Sequence, residues 1–206
     1  MMAGINSDND IPVSEVVTRI ATLLNGMARF WSNSAGWAPD DAAEMLALSR
    51  LDRLASMAET LRRWVEIPPE EISDGDLILA WANLGSLVEG TLKLFLCVYL
   101  RDYKADDENT KKTQAYHGKR KLLLDPDGLR MQVLIDYFEK AEILPADELE
   151  LSKRIQLKRN TIHVFKDLDI GDGPDFHAAV KEYRFMLLSI NSRLPYPDQI
   201  YEPQEF

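Results

Sequence analysis

"SDGDLILAWANLGSLVEGTLKLFLCVYLRDY", Ser73 to Tyr103, opens polar, turns apolar at Leu77, and between Leu92 and Leu100 is apolar on nearly every helical face. A helix without a polar side is a buried one, so this segment is expected to be the central helix of an all-α protein. Ser73, three residues before Asp76, supplies an N-cap and a box-like start. Gly85 and Gly90 each cost about 1 kcal/mol relative to alanine inside a helix, a cost accepted where another helix must pack closely. Glu89 stands out in these surroundings, because a carboxylate on an apolar helix needs a partner before it can be buried.

Helical periods continue on both sides, and no segment sustains strand alternation. The pattern predicts a first helix over Pro12 to Phe30. A second is expected over Asp41 to Val65, where Leu48, Leu51, Ala55, Ala58, Leu61 and Val65 recur at spacings of three and four, and it stops at "IPPEE". These two form a helical hairpin over residues 1–70. After the central helix, Lys104 to Leu124 is polar and basic and reads as a long loop. Asp125 and Pro126 are placed to start a fourth helix running to Lys140. A fifth helix follows "LPADE" and is expected to reach Phe165. The turn cluster "LDIGDGPD" separates it from a sixth over Pro174 to Leu194. The organisation expected is therefore a hairpin extension over 1–70, a bundle over 73–195 and an acidic tail over 196–206 that has no need of order.

With 206 residues, 46% hydrophobic and 28% charged, the chain has the composition of a globular protein of one domain, with or without an extension. It contains no run of the roughly 18 apolar residues that cross a bilayer, and "MMAGINSDND" is acidic where a signal peptide is basic and then apolar. A cytoplasmic protein without membrane partners is expected. The lone Cys97 is expected in the core, since one cysteine supports neither a disulfide framework nor a cysteine-rich zinc site. Trp31, Trp37, Trp64 and Trp81 read as packing aromatics. No phosphate-binding or dinucleotide glycine motif and no nucleophile elbow occurs, and His117, His163 and His177 have no metal-ligand spacing; the expectation is no cofactor and no metal.

The net charge of -10 argues against coating nucleic acid by charge alone. Yet ten of the 24 Lys and Arg fall in two acid-free runs, "KKTQAYHGKRK" and "LSKRIQLKRNTIHVFK". Each run fits a solvated face or loop, and each also fits a local anion site that admits a short or single-stranded ligand. His117, beside Tyr116 in the first run, reads as an exposed loop histidine.

The second run contains "LKRNTIHVF", residues 157–165. On a continuous helix Arg159 and His163 lie about 40° apart, at the border of the stripe centred on Ile155. Asn160 is close enough to His163 for a local hydrogen bond. Arginine offers a planar fork matched to phosphate, and histidine takes and gives protons near neutrality. That pair suits attack of an RNA 2′-hydroxyl on its neighbouring phosphate. It equally suits two side chains interacting with the carbonyls at a helix C-terminus.

"LKRNTIHVF" together with "AWANLGSLVEGTLKLFL" resembles the HEPN superfamily over roughly residues 75 to 195. The resemblance implies an all-α bundle of about four helices, commonly homodimeric, and either a metal-independent ribonuclease of prokaryotic defence or toxin–antitoxin systems or a non-catalytic module that binds RNA, nucleotide or protein. It implies Arg159, Asn160 and His163 as catalytic positions, with Glu89 as an acidic partner from an earlier helix. Arg154, Lys158, Lys119, Arg120 and Lys121 become candidate contacts to the substrate backbone. The implied partners are a second copy, single-stranded RNA or nucleotide, and an antitoxin-like protein. Only Asn160, Thr161 and Ile162 separate Arg159 from His163, one fewer than the family's usual minimum, while Lys158 stands at the more usual distance.

Overall fold

A computed structural model describes residues 11–206, so the N-terminal stretch read above for targeting lies outside the described residues. The chain is mostly helical. In order it forms α1 (Val13–Trp31), α2 (Asp40–Leu48), α3 (Leu51–Thr60), α4 (Arg62–Val65), α5 (Asp74–Val98), α6 (Leu100–Ala105) and α7 (Asp107–Lys111). A two-stranded antiparallel hairpin follows, β1 (Tyr116–His117) and β2 (Leu122–Leu123), and then α8 (Met131–Lys140), α9 (Ala146–Arg159) and α10 (Gly173–Ser192). None of the described helices is long and apolar enough to cross a membrane.

α5 is the central element. The Ser73 hydroxyl accepts the Asp76 N–H at 3.2 Å, the cap expected from the sequence. Trp81, Leu84, Leu87, Val88 and Leu92 are fully buried, and Cys97 joins them in the core, where burial pushes its thiol up to about 12. α2, α3, α8, α9 and α10 all pack on α5, while α1 lies along α3 and α10. Gly90 stands where a side chain would collide with Leu54 of α3. One contiguous hydrophobic core runs from Val16 to Leu194, so the N-terminal helices share it with the later ones. Trp31 and Trp81 are buried and Trp64 packs on the core, but Trp37 is exposed.

Several boundaries differ from the expectation, each for a local reason. The helix expected over Asp41 to Val65 breaks at Ser49, whose backbone is extended and whose hydroxyl donates to the Met45 carbonyl at 2.8 Å. Arg50 pairs with Asp52 at 2.6 Å across the start of α3, which leaves Leu48 outside and brings Leu51 in. The central helix breaks at Tyr99, whose hydroxyl donates to the Arg193 carbonyl, and resumes as α6. The Lys104 to Leu124 segment holds α7 and the hairpin; Asp106 caps α7 by accepting from Asn109 N–H at 3.0 Å and accepts from Tyr137 at 3.1 Å. Asp125 caps nothing with its side chain: a 3₁₀ turn over Pro126–Gly128 intervenes, and α8 begins only at Met131.

The C-terminal tail is docked. Glu205 is buried and receives two hydrogen bonds from the Arg184 guanidinium, one from Nε at 2.7 Å. Asn191 donates to the Pro203 carbonyl at 3.1 Å, and Pro203 sits against Gly26, where a Cβ would come within 2.6 Å of it. The tail was expected to need no order because its composition is polar. A side chain 21 residues upstream supplies what composition cannot show.

Candidate functional site

The motif lies at the C-terminal end of α9, and the helix stops inside it. Arg159 is the last residue of α9, Asn160–Ile162 form a 3₁₀ turn, and His163 follows with φ -87° and ψ 75°. The expectation that Arg159 and His163 share one helix reaching Phe165 is therefore overturned. Three contacts turn the chain here. Thr161, buried, donates its hydroxyl to the Lys158 carbonyl at 2.7 Å. Lys158 pairs with Asp169 at 2.6 Å, and the Trp81 indole N–H donates to the Ile170 carbonyl at 2.9 Å. The segment after His163 is thus drawn back towards α5 and α10.

Arg159 and Glu89 do meet. The Arg159 Nη1 donates to Glu89 Oε2 at 2.5 Å and approaches the Met131 sulfur at 3.6 Å. The second Glu89 oxygen pairs with Lys93 at 2.8 Å, and Lys93 also donates to the Asp127 carbonyl at 3.0 Å. The approach of α9 to α5 depends on Gly85: a Cβ there would lie 2.6 Å from Arg159 Cδ and 2.9 Å from its Cβ and Cγ. Gly85 is thus the seat of the arginine stem.

These groups line an open cleft of about 750 Å³ between α5, α8 and the end of α9, together with Arg130, Asn160 and His163. Lys93, Arg130 and Arg159 face Glu89 and Asp127 there, a cationic excess in a chain of net charge -10. Amides complete the wall. Gln156 donates to Gln132 at 2.6 Å and Gln132 to Asp136 at 2.7 Å, while Gln114 accepts from Arg130 at 3.2 Å. Because a carboxylate only accepts and a guanidinium only donates, this order leaves the Gln156 oxygen and the Gln114 amino group unused by these chains. Beyond Asn160 and His163, a second groove of about 510 Å³ is lined by Arg154, Lys158, Lys166 and Asp169.

Arg159, Asn160, His163 and Glu89 are thus gathered at one cleft, and Arg154 and Lys158 at the groove beside it. Lys119, Arg120 and Lys121 are exposed at the turn of the hairpin and line neither. His117 is exposed and its Nδ1 accepts the Arg120 N–H at 3.3 Å, and His177 lies on α10. No group of three or more His, Cys, Asp or Glu side chains able to hold a metal occurs among the described residues. The sequence reading missed Lys93 and Gln156, which stand four residues after Glu89 and three before Arg159, helical spacings that could have pointed to them. Arg130 and Gln114 reach the cleft from irregular segments and carried no sequence signal. Comparisons of the chain with family models, curated proteins and solved structures return no match, so the site is read from its own residues.

Proposed function

We propose that this is a HEPN-like protein whose cleft binds single-stranded RNA and cleaves it by attack of the RNA's own 2′-hydroxyl. The observation that carries the reading is the state of Arg159. Glu89 and Met131 engage only its Nη1, so Nε and Nη2 have no hydrogen-bond partner among the described residues, in a cleft that His163 also lines. A planar pair of unused donors matches two non-bridging phosphate oxygens. Lys93 adds a second cation on the same carboxylate, and Glu89 holds both in place.

In this scheme the His163 imidazole takes the 2′-hydroxyl proton, and the freed oxygen attacks the adjacent phosphorus. The bond from phosphorus to the 5′-oxygen breaks, and that oxygen leaves with a proton from an acid. Arg159 stabilises the charge that grows on the phosphate. The products are a 2′,3′-cyclic phosphate and a 5′-hydroxyl. Each chain brings one histidine to the cleft, so a homodimer with two adjoining clefts would provide base and acid together. Such an activity would serve a defence or toxin–antitoxin system, with an antitoxin-like protein as the partner the resemblance implies.

One observation favours a second reading, a non-catalytic module that binds RNA or protein. No described residue hydrogen-bonds the His163 side chain, which is exposed. A general base is ordinarily oriented by a third group. The two readings separate in one assay: incubation of mixed-sequence single-stranded RNA and DNA with the protein in excess chelator, with analysis of the product ends. Cleavage expects RNA cut to cyclic phosphate ends, DNA intact, and His163→Ala slower by about a hundredfold or more. RNA bound but uncut, equally by wild type and His163→Ala, establishes the module.

A further inference from the structure

We infer that Phe165 is a base-stacking platform and that the groove beyond His163 takes the nucleotide next to the one held by Arg159, an inference that rests on the RNA reading above. Phe165 is 102% exposed, the full exposure of a free side chain. Ile162, Val164 and Leu168 are exposed in the same segment, and Leu157 is exposed near the end of α9. Single exposed apolar residues are ordinary, but four within seven residues of one turn-rich segment mark a surface that something covers.

The neighbourhood favours nucleic acid. The groove is lined by Arg154, Lys158 and Lys166, the last adjacent to Phe165 in the chain, against one carboxylate, Asp169. Lys158 is held by Asp169 at 2.6 Å and Arg154 by Glu182 at 2.8 Å, whereas Lys166 has no ion pair among the described residues. The exposed Arg154 pair is worth little and exchanges readily for phosphate, whereas Lys158 is mostly buried and contributes its charge from a fixed position. A local cationic wall on a chain of net charge -10 complements a backbone of phosphates. Asn160 and His163 line both this groove and the cleft, so a strand passing over them would leave one base against the amides of the cleft and carry the next onto the exposed segment between His163 and Lys166 that bears Phe165. Stacking on an aromatic ring is the usual way in which an unpaired base is held without sequence preference.

The test uses a fluorescein-labelled RNA octamer of mixed sequence and a matching octamer made largely of abasic sites. Phe165→Ala is expected to weaken binding of the first by about five- to a hundredfold and of the second hardly at all, because only a base can stack. Phe165→Trp is expected to keep wild-type affinity and to add emission that the octamer quenches. Removing a fully exposed ring leaves the melting temperature unchanged. The inference is overturned if Phe165→Ala binds the base-bearing octamer as wild type does. It is also overturned if the variant loses only dimer in sedimentation, or only binding to anionic vesicles, with RNA affinity intact. Loss of RNA binding in Arg159→Ala without loss in Phe165→Ala sinks this inference alone, and absence of binding by wild type sinks the RNA reading with it.

Discussion

Two of the arginine–glutamate pairs that join separate elements of this chain differ in how far they are withdrawn from water. Arg184 and Glu205 are 3% and 8% exposed, and the guanidinium fork meets both carboxylate oxygens. Arg159 and Glu89 are 33% and 17% exposed, and one nitrogen meets one oxygen. The first pair, which Arg19 of α1 joins at 3.5 Å from the same carboxylate, fastens the tail to α10 and α1. The second is left with donors to spare, beside an open cleft, over a glycine that gives the arginine its seat. The same two residue types are a fastening where desolvation is complete; where it is partial, the guanidinium keeps the donors that the proposed function assigns to phosphate.

Breaking the fastening should have the largest effect on stability. Arg184→Ala leaves the buried Glu205 carboxylate with Arg19 alone among the described residues and without its bidentate hydrogen bonds, at a cost of about 3 kcal/mol, which lowers the melting temperature by about 10 °C in a chain of this size. Thermal unfolding of the variant checks this; a change of a degree or two would mean that the tail clamp contributes little.

Gly85→Ala sharpens the other side of the comparison. The added methyl must displace the Arg159 stem, and overpacking of this kind costs about 1–3 kcal/mol, partly offset by about 1 kcal/mol of helix propensity. Stability should therefore change modestly while RNA affinity falls as far as in Arg159→Ala. Binding and melting measured on one preparation will show whether the two separate.

The smallest effect is expected at Glu148 on α9, a buried carboxyl with one oxygen lacking a hydrogen-bond partner. Burial holds its pKa above the ordinary 4.5. A carboxyl raised on folding contributes stability that is fully present below the unfolded value and drains as pH rises through the folded one. At neutral pH the group is a cost. Glu148→Gln should raise stability at pH 7 by about 1 kcal/mol and flatten the decline above pH 4.5, as pH-dependent urea unfolding would reveal.

Much of the fold was legible because it follows from single-helix patterns. The apolar run of α5, the Ser73 cap and the glycine–proline start of α10 each act within a few residues. The pairing of Glu89 with Arg159 was legible for a similar reason, since a carboxylate on a buried helix demands a cation and the motif offered one. What escaped the sequence depends on partners far along the chain or on side chains competing with the backbone. The Ser49 hydroxyl breaks a helix that the leucine spacing would continue. Thr161, Asp169 and Ile170 together end α9 at Arg159 and carry His163 off the helix. No periodicity announces that Arg184 waits for Glu205.

The central claim is that the half-buried arginine is a phosphate receptor, and binding of a labelled single-stranded RNA octamer to wild type and to Arg159→Ala tests it most directly. In the variant Glu89 keeps its ion pair with Lys93, so the fold should persist. The account predicts that wild type binds and that Arg159→Ala binds at least about tenfold more weakly, as expected for loss of a charge-assisted bidentate contact, with an unchanged circular dichroism spectrum. Equal affinity of the two proteins for the octamer would contradict it.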